Sequence, residues 1–429
     1  MRRVFTHLHR TMGLVTAVFL VFSGLTGAVI SWDHALDELL IGHFIAVKTP
    51  GPARPSVELV KLIEDRDPRG RVTYMFMTPE PGKSLWFYVL PRIDPATGKR
   101  FTLDYNQVYL DPNTGEELGR RNWGAVWPIT RENFVSFLYQ LHNTMQIPEF
   151  WGSDRWGMRL LGIIAMIWTV DCFVGFALTL PARRRVHAAQ PEAVRRQLQK
   201  GFWSRWAPAW KIKTGGSGYR ITFDVHRAFG LWTWALLFTI AFTAFSLNLY
   251  YEVFSPLMKT VSNYTPTPYE QRTAAPLDAP VVPKLGYAEI VARAQADGRQ
   301  RGWDTPLGAV SYALEYGVYS AKFFHPGDDH GAAGVGPAQL YYDGQDGRLL
   351  GERIPWVGTG ADIFVQLQFP VHSGRILGLP GRILVSMMGV IVAALSITGV
   401  AIWVRKRRAR VRRRMAQAPA ASPAGVPAE

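Results

Sequence analysis

Residues 12–32, 160–180, 228–251 and 383–404 form four apolar stretches long enough to cross a bilayer. The hydrocarbon core takes roughly 20 apolar residues as a helix, and a backbone inside it must satisfy its own hydrogen bonds, which a helix does. Three stretches carry no charged residue, and the other carries only Asp171. The fold class expected is an α-helical membrane protein with four transmembrane helices.

The net charge of +15 alone would also suit a nucleic-acid binder. Its placement argues otherwise. Residues 1–10, 181–225 and 405–429 hold 21 Lys and Arg against 3 Asp and Glu, and the remainder is close to neutral. Four crossings put those three segments on one side, and loops rich in Lys and Arg stay cytoplasmic. Both termini are expected inside a bacterial inner membrane, with the basic runs at 183–185 and 405–414 reading as stop-transfer and lipid contacts and no nucleic acid as partner. "MRR" before the first stretch resembles a signal peptide, but the apolar run is too long and no small-x-small site follows, so a retained anchor is expected. The single cysteine, Cys172, excludes an intrachain disulfide and argues against thiolate metal sites.

The chain is written twice. "NQVYLDPNTGEELGRR" (106–121) and "AQLYYDGQDGRLLGER" (338–353) each read as strand, Asp-Gly turn and strand. Amphipathic helical patterns precede them, "SVELVKLIEDRDP" from Ser56 and "LGYAEIVARAQADG" from Leu285. Two α+β modules of one kind follow. The first half reads as a cytoplasmic N-terminus (1–10), transmembrane helix (11–34), periplasmic module (35–130), membrane-proximal helix (131–156) and transmembrane helix (157–181). After a basic cytoplasmic loop (182–224) come a transmembrane helix (225–251), module (252–360), membrane-proximal segment (361–381) and transmembrane helix (382–404). A basic tail (405–429) ends in an Ala- and Pro-rich run expected to be disordered. Trp203, Trp206 and Trp210 among basic residues suggest an interfacial stretch.

Four of the ten histidines occupy matched positions. His9 in "LHRTMGL" and His226 in "VHRAFGL" stand at cytoplasmic entrances; His142 in "FLYQLHNTM" and His372 in "FPVHSGRILGLPGR" precede spans entered from outside. A lone interfacial histidine is usually an anchor or a helix-end charge. Pairs at both faces suggest axial ligands, since two facing imidazoles can hold a haem iron from both sides inside a helical bundle. Gly13 and Gly230, four residues after their histidines, would leave room for a flat macrocycle. Arg10, Arg227 and Arg375 suit propionates; for Arg10 and Arg227 a positive-inside role is the equal alternative. His34 lies 25 residues beyond His9, roughly 37 Å along a helix, and is the reserve outer ligand. "HPGDDH" (325–330) reads as a solvated loop with adventitious metal binding as the alternative. Asp171 at span centre needs a hydrogen-bond partner, or serves as a proton relay.

With these residues in view, the chain resembles the PepSY-associated transmembrane-helix family, which includes inner-membrane siderophore-iron reductases. The resemblance runs from "LHRTMGL" to "LVSMMGVIVAALSITGVAIWVRKRR", and "PVHSGRILGLPGR" is its most specific piece. It implies two periplasmic PepSY-like modules and, in the reductase branch, two b-type haems held by His9, His142, His226 and His372. The segment "LHNTMQIPEFWGSDRWG" departs from the glycine spacing seen before the last span. The resulting expectation is a haem-dependent reductase of a ferric siderophore or other ferric chelate at the periplasmic face. No Gly-x-Gly-x-x-Gly motif is present, so electrons would come from a separate cytoplasmic reductase or quinol. A non-enzymatic regulatory or binding protein and a transporter subunit with Asp171 in its pathway are the other two readings.

Overall fold

The computed structural model describes residues 1–181, 191–193 and 200–417. His187, the first basic run (183–185) and the Ala- and Pro-rich tail from residue 418 lie outside the described residues. In chain order the first half comprises α1 (Arg2–Ile30), α2 (Asp33–Ile45), α3 (Ser56–Arg66), β1 (Gly70–Phe76), β2 (Leu85–Pro91), β3 (Gln107–Leu110), β4 (Glu117–Arg121), α4 (Phe134–Thr144) and α5 (Trp156–Thr179). The second comprises α6 (Gly218–Trp232), α7 (Trp234–Asn248), α8 (Tyr287–Gln300), β5 (Leu307–Ala313), β6 (Val318–Phe323), β7 (Ala338–Asp343), β8 (Leu349–Arg353), α9 (Gly360–His372) and α10 (Gly378–Ala416).

Among the described residues, α1, α5 and the helix ending in α10 are long and apolar enough to cross a membrane. The third expected span is instead the pair α6 and α7, bent by 71° at Thr233, which has φ −106° and ψ 8°. Four crossings therefore require the bent pair to count as one. Thr233 lies between Trp232 and Trp234 with neither Gly nor Pro beside it, so the usual breaker signal is missing. Val15, Val18, Phe22, Leu25 and Val29 form an exposed stripe along α1 at three- and four-residue spacing. Aliphatic groups in such a stripe belong against lipid rather than water.

By contacts the chain forms two units, one of Met1–Gly24, Met166–Phe238 and Val390–Glu429, the other of Leu25–Ala165 and Thr239–Gly389. In the first, Trp206 is buried against Phe176 and Leu180, while Trp203 stays exposed. Asp224, fully buried on α6, accepts from Arg220 at 2.9 Å and Arg227 at 2.8 Å.

The second unit contains one eight-stranded antiparallel sheet ordered β4-β3-β2-β1-β5-β6-β7-β8. Both quoted repeats form their hairpins, β3 with β4 and β7 with β8. The matching turns are held alike: Asp111 accepts from the Asn113 amide at 2.8 Å and Asp343 from the Gln345 amide at 2.7 Å. Gly115 and Gly347 take the required left-handed turn at φ +78° and +73°. Two separate modules were expected; the halves instead share a sheet and a core. Each is a helix followed by a four-stranded meander, and β1 pairs with β5 through Tyr74↔Ser311, Met75↔Val310 and Phe76↔Ala309. Leu59, Val60 and Ile63 of α3 and Ile290, Val291 and Ala294 of α8 enter one cluster with Phe87, Val108, Tyr319 and Leu340. Along β2, Leu85, Phe87 and Val89 point into it while the residues between them do not, as a pleat dictates.

Candidate functional site

The four matched histidines meet in two pairs. In the first unit His9 of α1 faces His226 of α6 with ring centroids 6.2 Å apart, and in the second His142 of α4 faces His372 of α9 at 6.3 Å. Two imidazoles sharing one metal, each nitrogen about 2 Å from it, hold their centroids roughly 6 Å apart. The His34 and His330 rings stand closer, edge to face at 4.7 Å.

Each ring turns its Nδ1 to an oxygen. His9 Nδ1 lies 2.9 and 3.0 Å from the Asp171 carboxylate oxygens. His226 Nδ1 lies 3.0 Å from Thr398 Oγ1, which also reaches the Ala394 and Leu395 carbonyls at 2.8 and 3.0 Å. With the hydroxyl proton on either carbonyl, the oxygen accepts from Nδ1 and Nε2 is left bare. The logic repeats at His372, where Thr243 Oγ1 is 3.0 Å from Nδ1 and donates to the Thr239 carbonyl at 2.7 Å. Thr26 Oγ1 stands 3.3 Å from His142 Nδ1. Occupying Nδ1 this way fixes ring orientation and tautomer and leaves Nε2 for a metal.

The braces have a repeated plan. Asp171 and Gly175 lie one turn apart on α5 and both meet His9; Thr398 and Gly399 on α10 meet His226; Thr26 and Gly27 on α1 meet His142. A Cβ at Gly175 or Gly399 would come within 3.3 Å of the imidazole Cε1, and one at Gly27 within 2.9 Å. These three glycines let the rings settle against neighbouring helices. Sequence reasoning missed them, although "LTG" at 25–27 and "ITG" at 397–399 repeat the Thr-Gly pair. Gly13 and Gly230, singled out instead, have no heavy atom near their would-be Cβ, so open space adjoins them.

The arginines divide. Arg227 is taken up by Asp224 and the Pro208 and Ala209 carbonyls at 2.8 and 3.1 Å, which secures the loop before α6. Arg10 reaches His7 Nδ1 at 2.7 Å from an exposed position. Arg375 lies 3.4 Å from Asp33. The reserve ligand His34 stands apart from the outer pair, with its Nδ1 on Asp33 at 3.0 Å and its ring against His330. Its bond to Asp33 raises the His34 pKa, whereas burial lowers that of His330. Asp33 sits below the usual carboxylate range: burial opposes its charge, but the His34 bond prevails.

Residues 6–406 match the family described as the PepSY-associated TM region, a match that encloses both imidazole pairs and the whole sheet. The chain belongs to this family. A comparison with curated proteins finds no match. In this PepSY-associated TM protein, the His325–His330 loop also borders a cleft of about 450 Å³ lined by Trp303, Phe324, His325 and Asp328. Its volume lies within the usual range for small-ligand pockets.

Proposed function

We propose that this membrane protein is a two-haem electron carrier of the bacterial inner membrane that reduces a ferric siderophore or another ferric chelate at the periplasmic face. The observation that carries the reading is the repeated 6.2 and 6.3 Å imidazole spacing, with Nδ1 turned to an oxygen in all four rings. His9 and His226 would hold one b-type haem, and His142 and His372 the other. Each haem when bound supplies a one-electron carrier between the two oxidation states of its iron.

The chain's own residues determine how such a group is held. Asp171, Thr398, Thr26 and Thr243 hold the imidazoles in orientation, and Gly27, Gly175 and Gly399 admit the rings between packed helices. The donor is a separate cytoplasmic reductase or a quinol. Asp171 is engaged by His9, which favours a bracing role over a place in a transport path.

The test is an absorption spectrum of the detergent-purified chain before and after dithionite, with haem quantified as the pyridine adduct. Two haems per chain and a sharp reduced band are expected. A chain purified from haem-replete cells with no such band would sink the proposal.

A further inference from the structure

We propose that His34, Asp329 and His330 bind a divalent first-row transition-metal ion. One ligand atom from each lies within 4.8 Å of the others. Two donors each about 2.0–2.2 Å from a metal lie roughly 3–4 Å apart, so small side-chain rotations complete the site.

The cluster is not explained by hydrogen bonding among its members. His330 Nε2 is buried without a hydrogen-bond partner, and the nearest Asp329 oxygen is 3.9 Å away, beyond bonding distance. The His34 and His330 rings meet edge to face at 4.7 Å. His34 is prepared as the four paired histidines are: Nδ1 faces the Asp33 carboxylate at 3.0 Å, leaving Nε2 for a ligand bond. Arg375, a cation that faces the cluster, is held by Asp33 at 3.4 Å, which offsets its repulsion toward an incoming ion; Lys322 faces Asp329 from β6.

The loop is built to hold this shape. Gly331 at φ +61° packs its α-carbon against the Gly336 carbonyl, and Gly334 at φ +76° packs on the Arg375 side chain. The Gly336 amide donates to the His330 carbonyl at 2.7 Å.

Two imidazoles with one carboxylate and positions left open are the donor set that ferrous iron favours, and cobalt(II), nickel(II) and zinc(II) also accept it. In the sequence Arg375 lies three residues from His372, and Asp33 seven from the Thr26 brace. A role as first holder of the ferrous ion freed by reduction rests on the function proposed above; the binding does not.

The test is equilibrium dialysis of the purified full chain with Co²⁺, then anaerobically with Fe²⁺. One ion per chain is expected. Affinity should fall at least tenfold in His330→Gln and Asp329→Asn and stay unchanged in His325→Gln, which alters the same loop outside the triad. Unaltered elution and haem content in each variant would show that it remains folded. His142→Ala should lose haem and keep the ion, which separates failure of the metal site from failure of the haem reading. Equal retention of Co²⁺ by wild type and a His34→Ala, His330→Ala double variant would overturn the proposal.

Discussion

His9 rests its Nδ1 on both oxygens of Asp171, at 2.9 and 3.0 Å, whereas the other three paired imidazoles rest on threonine hydroxyls. A carboxylate brace makes imidazole a stronger donor, which favours the higher oxidation state of a bound iron. On the proposed reading the inner haem therefore has the lower potential and the outer the higher, the order that moves electrons outward. Asp171→Asn should keep both haems and raise the inner potential; a tenfold change in relative affinity for the two iron states is about 59 mV for one electron. A redox titration in which Asp171→Asn leaves both potentials in place would remove this assignment.

Gly27 and Gly13 lie on the same helix but face different surroundings. A methyl group at Gly27 would stand 2.9 Å from His142 Cε1, while one at Gly13 meets nothing within 4 Å. Gly27→Ala should displace the outer ring and lower haem content toward one per chain, with the inner haem retained. Haem quantification decides the matter, and a Gly27→Ala chain that keeps two haems would contradict the close approach.

Thr243 distinguishes a polar brace from simple packing. Thr243→Val keeps the volume but removes the hydroxyl that His372 Nδ1 meets, leaving only the Ile240 backbone bond to orient the ring. Outer-haem affinity is expected to fall about 10- to 100-fold, as for other outer-shell partners of metal ligands, and to recover in Thr243→Ser. Haem transfer to apomyoglobin supplies the measurement; a serine variant as weak as the valine one would argue for packing alone.

Outside the membrane, Arg69 bonds to Asp67 at 2.8 and 2.9 Å and holds its carboxyl down at about 2 against an ordinary 3.8, with the Tyr105 hydroxyl adding to the effect. A depressed folded-state pKa stabilises the fold above the unfolded value, and the gain is lost as pH falls through the folded one. The contribution is thus present above about pH 4 and disappears toward pH 2. Arg69→Ala should remove most of that acid-range slope by lowering the thermal midpoint of the sheet at neutral pH while leaving the midpoint near pH 2 in place. An unchanged slope would show that the pair carries no such linkage.

Local signals made part of this molecule readable from its sequence. Asp111 and Gly115, like Asp343 and Gly347, set their hairpins within a few residues, and the apolar runs of α1, α5 and α10 speak for themselves. The matched histidines were visible because the halves repeat. What binds the parts is non-local: β1 meets β5 across the chain, and Asp171 meets His9 from 162 residues away. Periodicity is silent on such pairings. It is equally silent on which glycine faces a ring, so Gly27, Gly175 and Gly399 went unnoticed beside Gly13 and Gly230, which adjoin open space. The bend at Thr233 had no Gly or Pro to announce it, and the meeting of His34 with His330 depends on how a distant loop is laid down.

The seam between β1 and β5 joins equivalent strands of the two halves in antiparallel register, the arrangement a two-fold homodimer would use. In effect the chain is a dimer whose partners have been spliced end to end. Identical subunits must change in step, since one gene writes both. Spliced partners are released from that constraint, and one copy can carry a carboxylate behind its histidine while the other keeps a hydroxyl, as Asp171 and Thr398 do. Joining the copies turns a symmetric scaffold into one that can have a direction.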